Sequence, residues 1–586
     1  MPNTPDDDAT DPTGLPDQGL RKGLTRYGDA DFSLFLRKAF VKGAGYTDTA
    51  LERPVIGIAD TGSDYNPCHG NAPQLIEAVK RGVMLAGGLP MRFPTISVHE
   101  SFAAPTSMFL RNLMSMDTEE MLLAQPMDAV VLIGGCDKTV PAQLMAAASA
   151  NLPAIQLITG SMLTGSHRGE RVGACTDCRR YWGRFRASEI DADEVVAVND
   201  RLVASVGTCS VMGTASTMAC IAEALGMTVP GGATPPAVTA DRMRIAEQTG
   251  ALAVQMARTR LTVSKILTPA AFENAMRVLL AIGGSTNGVV HLAAIAGRMG
   301  LDIDLQALDR MGRETPVLLD LKPSGQHYME DFHHAGGMAT LLRELKPLLK
   351  LDALTVTGRT LGAEIERAGT GFAQEVVRGM ANPVFPQGGI AVLNGNLAPG
   401  GAIIKQSAAD AKLMEHEGRA VVFENLQDLA ERIDADDLDV TADDVLVLKN
   451  IGPKGAPGMP EAGYIPIPRK LARAGVKDML RISDGRMSGT AFGTIVLHVT
   501  PEAAVGGPLA FVRNGDRIRL SVQRRELVLR VPDEEMARRA CEQPVVEPSA
   551  ARGYRKLYLQ TVNQADQGAD VDFLRAPATV GKTPQG

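Results

Sequence analysis

The chain has 586 residues, of which 45% are hydrophobic and 22% charged, and its net charge is −7. That length exceeds what one hydrophobic core supports, so at least two domains are expected. The acidic balance and the lack of a long basic stretch exclude a nucleic-acid footprint, and no apolar run is long enough to span a bilayer.

Seven cysteines in so long a chain do not make a disulfide framework and instead fit reduced thiols in a cytoplasm. The first 30 residues, opening MPNTPDDDATDPTG, are acidic and rich in Pro and Gly, without the basic start and apolar middle of a signal peptide. They read as a disordered tail. A helix follows over residues 32–40, then a strand over 53–59 that runs into the polar turn DTGSDYNPCHGN and delivers Cys68 after a proline. Apolar residues at helical spacing over 72–86 predict a helix. A short strand over 94–98 ends in His99-Glu100-Ser101, and helical stretches are read at 106–116 and 119–123.

The stretch DAVVLIGGCDKTVP, residues 128–141, organises what surrounds it. An apolar strand over 129–133 breaks at Gly134-Gly135 into a turn presenting Cys136, Asp137 and Lys138 side by side. In an open α/β sheet, ligands bind beyond the carboxyl ends of strands. A thiolate there suits iron or zinc and a carboxylate suits magnesium. Successive strand ends thus carry a Cys, a Glu and a Cys-Asp-Lys, and strands alternating with helices predict a parallel sheet with helices on both faces.

A further strand over 153–158 leads to a loop rich in Gly and Arg that holds Cys175-Thr-Asp-Cys178, the one CxxC of the chain. No second CxxC completes a four-thiolate zinc site and no thioredoxin-like context precedes it, so the pair reads as a decoy. Cys209, in GTCSVMGTAST, is expected at the head of a helix running to about Leu225, where the helix dipole favours thiolate. Cys220 on that helix reads as core, and Cys541 carries no site context. A helix over 271–282 ends in GGSTN, a turn able to offer backbone amides to an anion. Three of the nine histidines gather in SGQHYMEDFHHAGG and are weak ligand candidates.

Near residues 381–389 the character changes. Strands are predicted at 390–393, 420–423, 445–448, 495–498, 509–512, 517–520 and 527–531, a mainly β, barrel-like second domain. Two Gly-rich loops interrupt it. GPKGAPGMPE at 452–461 lacks the GK[ST] ending of a phosphate loop, and RISDGRMSGT at 481–490 offers Ser483, Asp484, Arg486, Ser488 and Thr490. From about Val562 the chain reads as a terminal extension.

These stretches resemble the family of dihydroxy-acid and phosphogluconate dehydratases: PC at Cys68, GGCDKT at Cys136, GTCSVMGTAST at Cys209, GGSTN at Gly283, GNLAPGGA at Gly395, GPKGAPGMPE at Gly452 and SDGRMSGT at Ser483. They occur in family order from about residue 60 to 490. The sequence is most similar to the sugar-acid branch, which dehydrates aldonates such as arabinonate. Branched-chain members typically carry Glu before the GPKG loop, where this chain has Ile451. The resemblance implies an α/β fold. Its N-terminal parallel-sheet α/β/α domain (31–385) would carry a 2Fe-2S cluster on Cys68, Cys136 and Cys209, with most ligands of a Mg²⁺. A barrel-like domain (386–586) would carry the catalytic serine loop.

Three thiolates, unlike four, leave one iron an open position for a substrate hydroxyl. The Mg²⁺ ligands implied are Glu100, Asp137, Glu461 and a carbamylated Lys138, since an ammonium cannot ligate a cation but a carbamate can. Ser488, as alkoxide, would be the base of a β-elimination yielding a 2-keto acid, with the iron taking the departing hydroxyl and Thr490 positioning Ser488 or substrate. The expectation is a cytoplasmic hydro-lyase, a homodimer or homotetramer, acting on a small sugar acid without nucleic acid or membrane. The alternatives are the branched-chain 2,3-dihydroxy-acid dehydratase and an iron-sulfur redox carrier or sensor. Electron transfer does not need the carboxylate-lysine set beside Cys136.

Overall fold

The computed structural model describes residues 18–577 apart from 543, 544 and 546. Four strands, β1 (Val55–Asp60), β2 (Leu89–Pro94), β3 (Ala129–Gly134) and β4 (Ala154–Ile158), form a parallel sheet in the order β2-β1-β3-β4. Every residue of β1, β3 and β4 is buried, the signature of a sheet covered on both faces. The helices Ala72–Leu85 and Ala240–Thr259 pack against each other and against this sheet. Glycines set their spacing: a Cβ on Gly250 would stand against the Val79 carbonyl, so neither helix could approach so closely with larger residues there. A small hairpin, β5 (Gly165–His167) and β6 (Glu170–Val172), stands outside the sheet.

Eight strands close a barrel: β7 (Ala391–Gly395), β8 (Ala398–Ile404), β9 (Glu415–Phe423), β10 (Val445–Leu448), β11 (Arg481–Ser483), β12 (Ile495–Thr500), β13 (Arg517–Ser521) and β14 (Glu526–Leu529). Around it the order is β10-β11-β12-β8-β7-β14-β13-β9. Strands β9 to β12 run parallel, so the loops after β10 and β11 leave the same end. Alternation fills both sides of these strands. Val422, Val447 and Ile482 enter the barrel core, whereas Val421, Leu446 and Leu448 pack outside against Ile465 and Met479. No helix among the described residues is long and apolar enough to cross a membrane.

Several predicted elements are redrawn. The strand expected at 94–98 lies at β2 instead, because the chain turns off the sheet at Pro94: Ile96 N–H donates to Asp117 Oδ2 at 2.8 Å. The two helices expected between 106 and 123 are one, Ser107–Ala124. The segment 509–512 is a 3₁₀ turn, Pro508–Phe511, since Pro508 fixes a turn φ and removes a ladder donor. Cys209 does not head a helix. The helix Thr214–Ala224 begins five residues later.

Of the expected tail, residues 1–17 lie outside the described residues, but Leu20 and Leu24 are buried and Gly19 N–H donates to both oxygens of Asp128 at 3.0 Å. The C-terminal segment is also integral; only residues 578–586 of the expected extension lie outside the described residues. Val562, Ala569 and Val571 are buried, and Asp570 pairs at 2.7 Å with Arg298, neither side chain having any exposure. Removing one partner of such a pair leaves an uncompensated buried charge. Asp570→Ala is therefore expected to destabilise the protein by roughly 3–5 kcal/mol, read as a fall in the urea midpoint. An unchanged midpoint would make the segment an appendage.

Candidate active site

The turns that follow β1 and β3 meet over one histidine. His69 is buried, and its Nε2 accepts N–H bonds from Gly135 and Cys136, both at 3.0 Å. Its Nδ1 donates to the Thr61 carbonyl at 2.9 Å, which fixes the tautomer. Burial lowers its pKa to about 4, so the ring stays a neutral acceptor. The Cys68 carbonyl is held in turn by Thr159 Oγ1 at 2.8 Å. One ring thus fixes both cysteine turns. It was not singled out in the sequence, where it is merely the residue after Cys68.

Cys68 and Cys136 are buried, and a nitrogen of His99 completes a group whose ligand atoms lie within 4.8 Å of one another. Cys209 approaches from a third segment, drawn in by Gly207, whose φ of +126° only glycine adopts readily and whose N–H donates to the Pro67 carbonyl at 3.1 Å. The hydrogen bond Cys68 donates to Cys136, then burial, pushes the Cys68 thiol up. The one Cys209 donates to Cys175, then burial, does the same for Cys209.

Of the CxxC pair, Cys175 is brought beside Cys209. Its Sγ lies 3.4 Å from Cys209 Sγ. Hydrogen bonds from Cys178 and then Cys209 hold its thiol well below the usual range. The three histidines of SGQHYMEDFHHAGG are not brought to this centre. His333 pairs with Asp241 at 3.1 Å, and His327 faces Asp331 at 3.8 Å.

Adjacent to the thiols, carboxylate oxygens of Glu100, Asp137 and Glu461 lie within 4.8 Å of one another. Asp137 follows Cys136 directly and accepts from its Sγ at 3.5 Å. Lys138 is fully buried and pairs with Asp137. Arg486, 1% exposed, bridges the other two: Nη1 donates to Glu461 at 2.6 Å and Nη2 to both oxygens of Glu100 at 3.1 Å. Thr106 Oγ1 donates to Glu100 at 2.6 Å, and Ser107 donates to its second oxygen. Burial pushes the Glu100 carboxyl up, but Arg486, Lys138 and these hydroxyls overcome it and hold it well below the usual range. At Glu461 burial outweighs Arg486 and the carboxyl is raised. Buried polar atoms without protein partners surround the cluster: Arg486 Nε, His291 Nε2 and both nitrogens of His498. Such atoms call for water or a ligand.

The loop that carries Arg486 also carries Ser488, whose Oγ lies 2.9 Å from Thr490 Oγ1. Thr176, one residue past Cys175, donates to the Thr490 carbonyl at 3.0 Å, and Asn287 of the GGSTN turn donates to the Met487 carbonyl at 3.0 Å. A Cβ on Gly489 would stand 2.6 Å from Thr214 N and Ser285 Cβ. The serine loop is therefore pressed between the Cys209 segment and the GGSTN turn. Lys405, also not singled out in the sequence, lies fully buried with Nζ 3.3 Å from the Gly489 carbonyl, and burial lowers it to about 7.

A cavity of about 950 Å³ leads to this centre and is lined by Cys175, Cys178, Arg179, Glu461, Tyr464 and Phe492, among others. Arg179 stacks 5.0 Å over the Tyr464 ring, and its Nε is buried without a partner. His69→Leu is expected to strand the Gly135 and Cys136 N–H groups and to cost about 1–3 kcal/mol for each. A denaturation midpoint equal to wild type would contradict that role for the ring.

Two sequence models cover most of the chain, described as dihydroxy-acid/6-phosphogluconate dehydratase N-terminal over residues 53–364 and C-terminal over 375–569. An L-arabonate dehydratase of Azospirillum brasilense is 48% identical over 561 residues, covering 94% of this chain and 96% of that protein. A 6-deoxy-6-sulfo-D-gluconate dehydratase of Pseudomonas putida is 45% identical over 537 residues, 91% of this chain and 93% of that one. A dihydroxy-acid dehydratase of Caldicellulosiruptor bescii is 39% identical over 541 residues, 91% of this chain and 97% of that one. The chain belongs to the dihydroxy-acid/6-phosphogluconate dehydratase family and is a hydro-lyase.

Proposed function

We propose that the protein dehydrates a sugar acid, an aldonate of the arabinonate type, to its 2-keto-3-deoxy acid. The observation that carries this reading is the tie between three groups. The thiols and the carboxylates are joined through Cys136-Asp137, and the loop of Ser488 reaches the carboxylates through Arg486 and Thr176, next to Cys175, through Thr490. The higher identity to the sugar-acid relatives than to the branched-chain one supports the substrate class.

Cys68, Cys136 and Cys209 would hold a 2Fe-2S cluster, and Glu100, Asp137, Glu461 and Lys138 as a carbamate would hold Mg²⁺. Charge supports the modification. As an ammonium, Lys138 joins Arg486 in balancing three carboxylates. As a carbamate it would leave four anions facing one guanidinium, a deficit that a hard divalent cation fills. When bound, the two groups supply Lewis acidity, which acidifies the proton beside the carboxylate and eases departure of the neighbouring hydroxyl.

The chain's own part is the proton. Ser488 Oγ removes it from the carbon next to the carboxylate, while the Thr490 hydroxyl, 2.9 Å away, donates to Ser488 and favours the alkoxide. Loss of the hydroxyl from the next carbon leaves an enol, which tautomerises to the 2-keto acid. Arg179, without a carboxylate partner among the described residues and lining the cavity, is placed to receive substrate charge. The reading carries a homo-oligomeric enzyme of the cytoplasm, where thiols remain reduced.

Anaerobically reconstituted protein with Mg²⁺ is expected to form 2-keto acid from one or more aldonates and not from 2,3-dihydroxyisovalerate. Turnover of the branched-chain acid alone would overturn the substrate class, and turnover of neither would overturn the enzyme reading. Ser488→Ala should lower kcat by about 10²–10⁴-fold with KM nearly unchanged. Arg179→Ala should raise KM, and an unchanged KM would remove Arg179 from the substrate site.

A further inference from the structure

Each carbonyl of the serine loop from Met487 to Thr490 is taken by a donor. Asn287 holds that of Met487, Ala491 N–H that of Ser488 and Thr176 that of Thr490, all at 3.0 Å. Lys405 holds the remaining one, Gly489, with Nζ at 3.3 Å. Neutral groups suffice at three of these places. At Gly489 the donor is an amine that carries a charge when protonated, and a charge is costly to bury. Lys405 is 1% exposed, and among the described residues no carboxylate lies within ion-pair distance of its Nζ. A buried lysine without a counter-ion adds little to cohesion, which turns attention to what it does for its neighbour.

Strand β8 puts it there. Ile404 pairs with Val496 of β12, so Lys405 emerges beside the stretch by which the serine loop returns to the barrel. Gly493 N–H donates to the Ala408 carbonyl at 2.8 Å and Asp410 N–H to Thr494 Oγ1 at 3.0 Å, which ties the two segments together over several residues. On the opposite side the loop has no room to withdraw: a Cβ on Gly213 would stand 2.7 Å from Thr490 Cγ2. The GNLAPGGA stretch, residues 395–402, forms the turn and most of that strand, and Lys405 is what it delivers to the site.

We propose that Lys405 is a positioning residue of the dehydration, whose charge, held at the residue after Ser488, favours the alkoxide form of that base. This rests on the reading of Ser488 given above. The Thr490 hydroxyl and N–H reach Ser488 Oγ at 2.9 and 3.5 Å, but both are neutral donors. A unit charge in a low-dielectric interior acts beyond its own hydrogen bond. The coupling is reciprocal. An anion at Ser488 favours the ammonium of Lys405, which burial otherwise lowers to about 7. No proton passes between the two: Ser488 takes its proton from the substrate carbon, and Lys405 keeps its own.

The test uses anaerobically reconstituted full-length protein with Mg²⁺, assayed with L-arabinonate, or whichever aldonate wild type turns over, and with its 2-deuterated form. Urea denaturation of the same preparations is the second readout. Lys405→Met keeps the length of the side chain and removes the charge, and Lys405→Gln also keeps a donor for the Gly489 carbonyl. Both should lower kcat about 10–100-fold, less than the loss of a donor touching a reacting oxyanion, with KM changed by no more than about twofold. The deuterium isotope effect on kcat should be at least that of wild type, since the slowed step is removal of that proton. The urea midpoint of Lys405→Met should equal or exceed wild type, because a buried charge without a partner gives way to an apolar chain. A lowered midpoint, which a lysine kept for structure predicts, would overturn the inference. Recovery of wild-type kcat in Lys405→Gln would do the same, by making a neutral donor sufficient, as would a fall in kcat with a suppressed isotope effect. Wild-type kcat in Lys405→Met beside an inactive Ser488→Ala would overturn it and leave the base reading standing. Wild-type kcat in Ser488→Ala would overturn both.

Discussion

Crowded negative charge is the constraint on which this architecture turns. Three carboxylates within 4.8 Å of one another would not stay ionised in a buried centre unaided, because each resists the charge of the next. Arg486 and Lys138 supply the answer in the protein itself, both almost wholly buried and both paired to the cluster. Arg486 spans the carboxylates of Glu100 and Glu461, so a residue from the loop after β11 clamps one delivered from the end of β2. The barrel and the parallel sheet are held together where the chemistry is expected. Loss of such a buried guanidinium would leave its partners uncompensated, so the position carries both cohesion and function.

Topology delivers the remaining groups. Parallel strands place the turns after β1 and β3 at one edge of the sheet, and His69 locks those turns together with a neutral ring. Parallel pairing of β9 to β12 does the same in the barrel, sending the Glu461 and Ser488 loops from one end. Glycines permit the closeness: Gly207 turns the chain to present Cys209, and Gly489 lets the serine loop lie against Thr214 and Ser285. The site is assembled at a seam, beside a cavity wall where Arg179 and Tyr464 come from different parts of the chain.

Much of this was legible in the sequence. Cys68, Cys136, Glu100, Asp137 and Lys138 stand at or just past the ends of apolar strand-like runs, which local pattern detects. Ser488 and Glu461 lie in Gly-rich loops that were visible as loops but whose role came through resemblance. The place of Cys175 was not legible, because it depends on Cys209, 34 residues on, and on a backbone tie between the two segments. His69 and Lys405 were missed for a similar reason: each acts by touching backbone of distant segments. The strand expected at 509–512 failed to a proline, and the C-terminal segment looked dispensable because a buried partner such as Arg298 leaves no mark near Asp570.

The central claim is that the thiol set and the carboxylate set form one contiguous metal centre. Anomalous diffraction at the iron edge, from crystals of anaerobically reconstituted protein grown with Mg²⁺, tests it most directly. The account predicts two adjacent iron positions per chain enclosed by Cys68, Cys136 and Cys209, with non-anomalous density for an octahedral cation among Glu100, Asp137 and Glu461. Iron bound elsewhere, or a thiol pocket empty of iron in protein that holds it in solution, would contradict the claim.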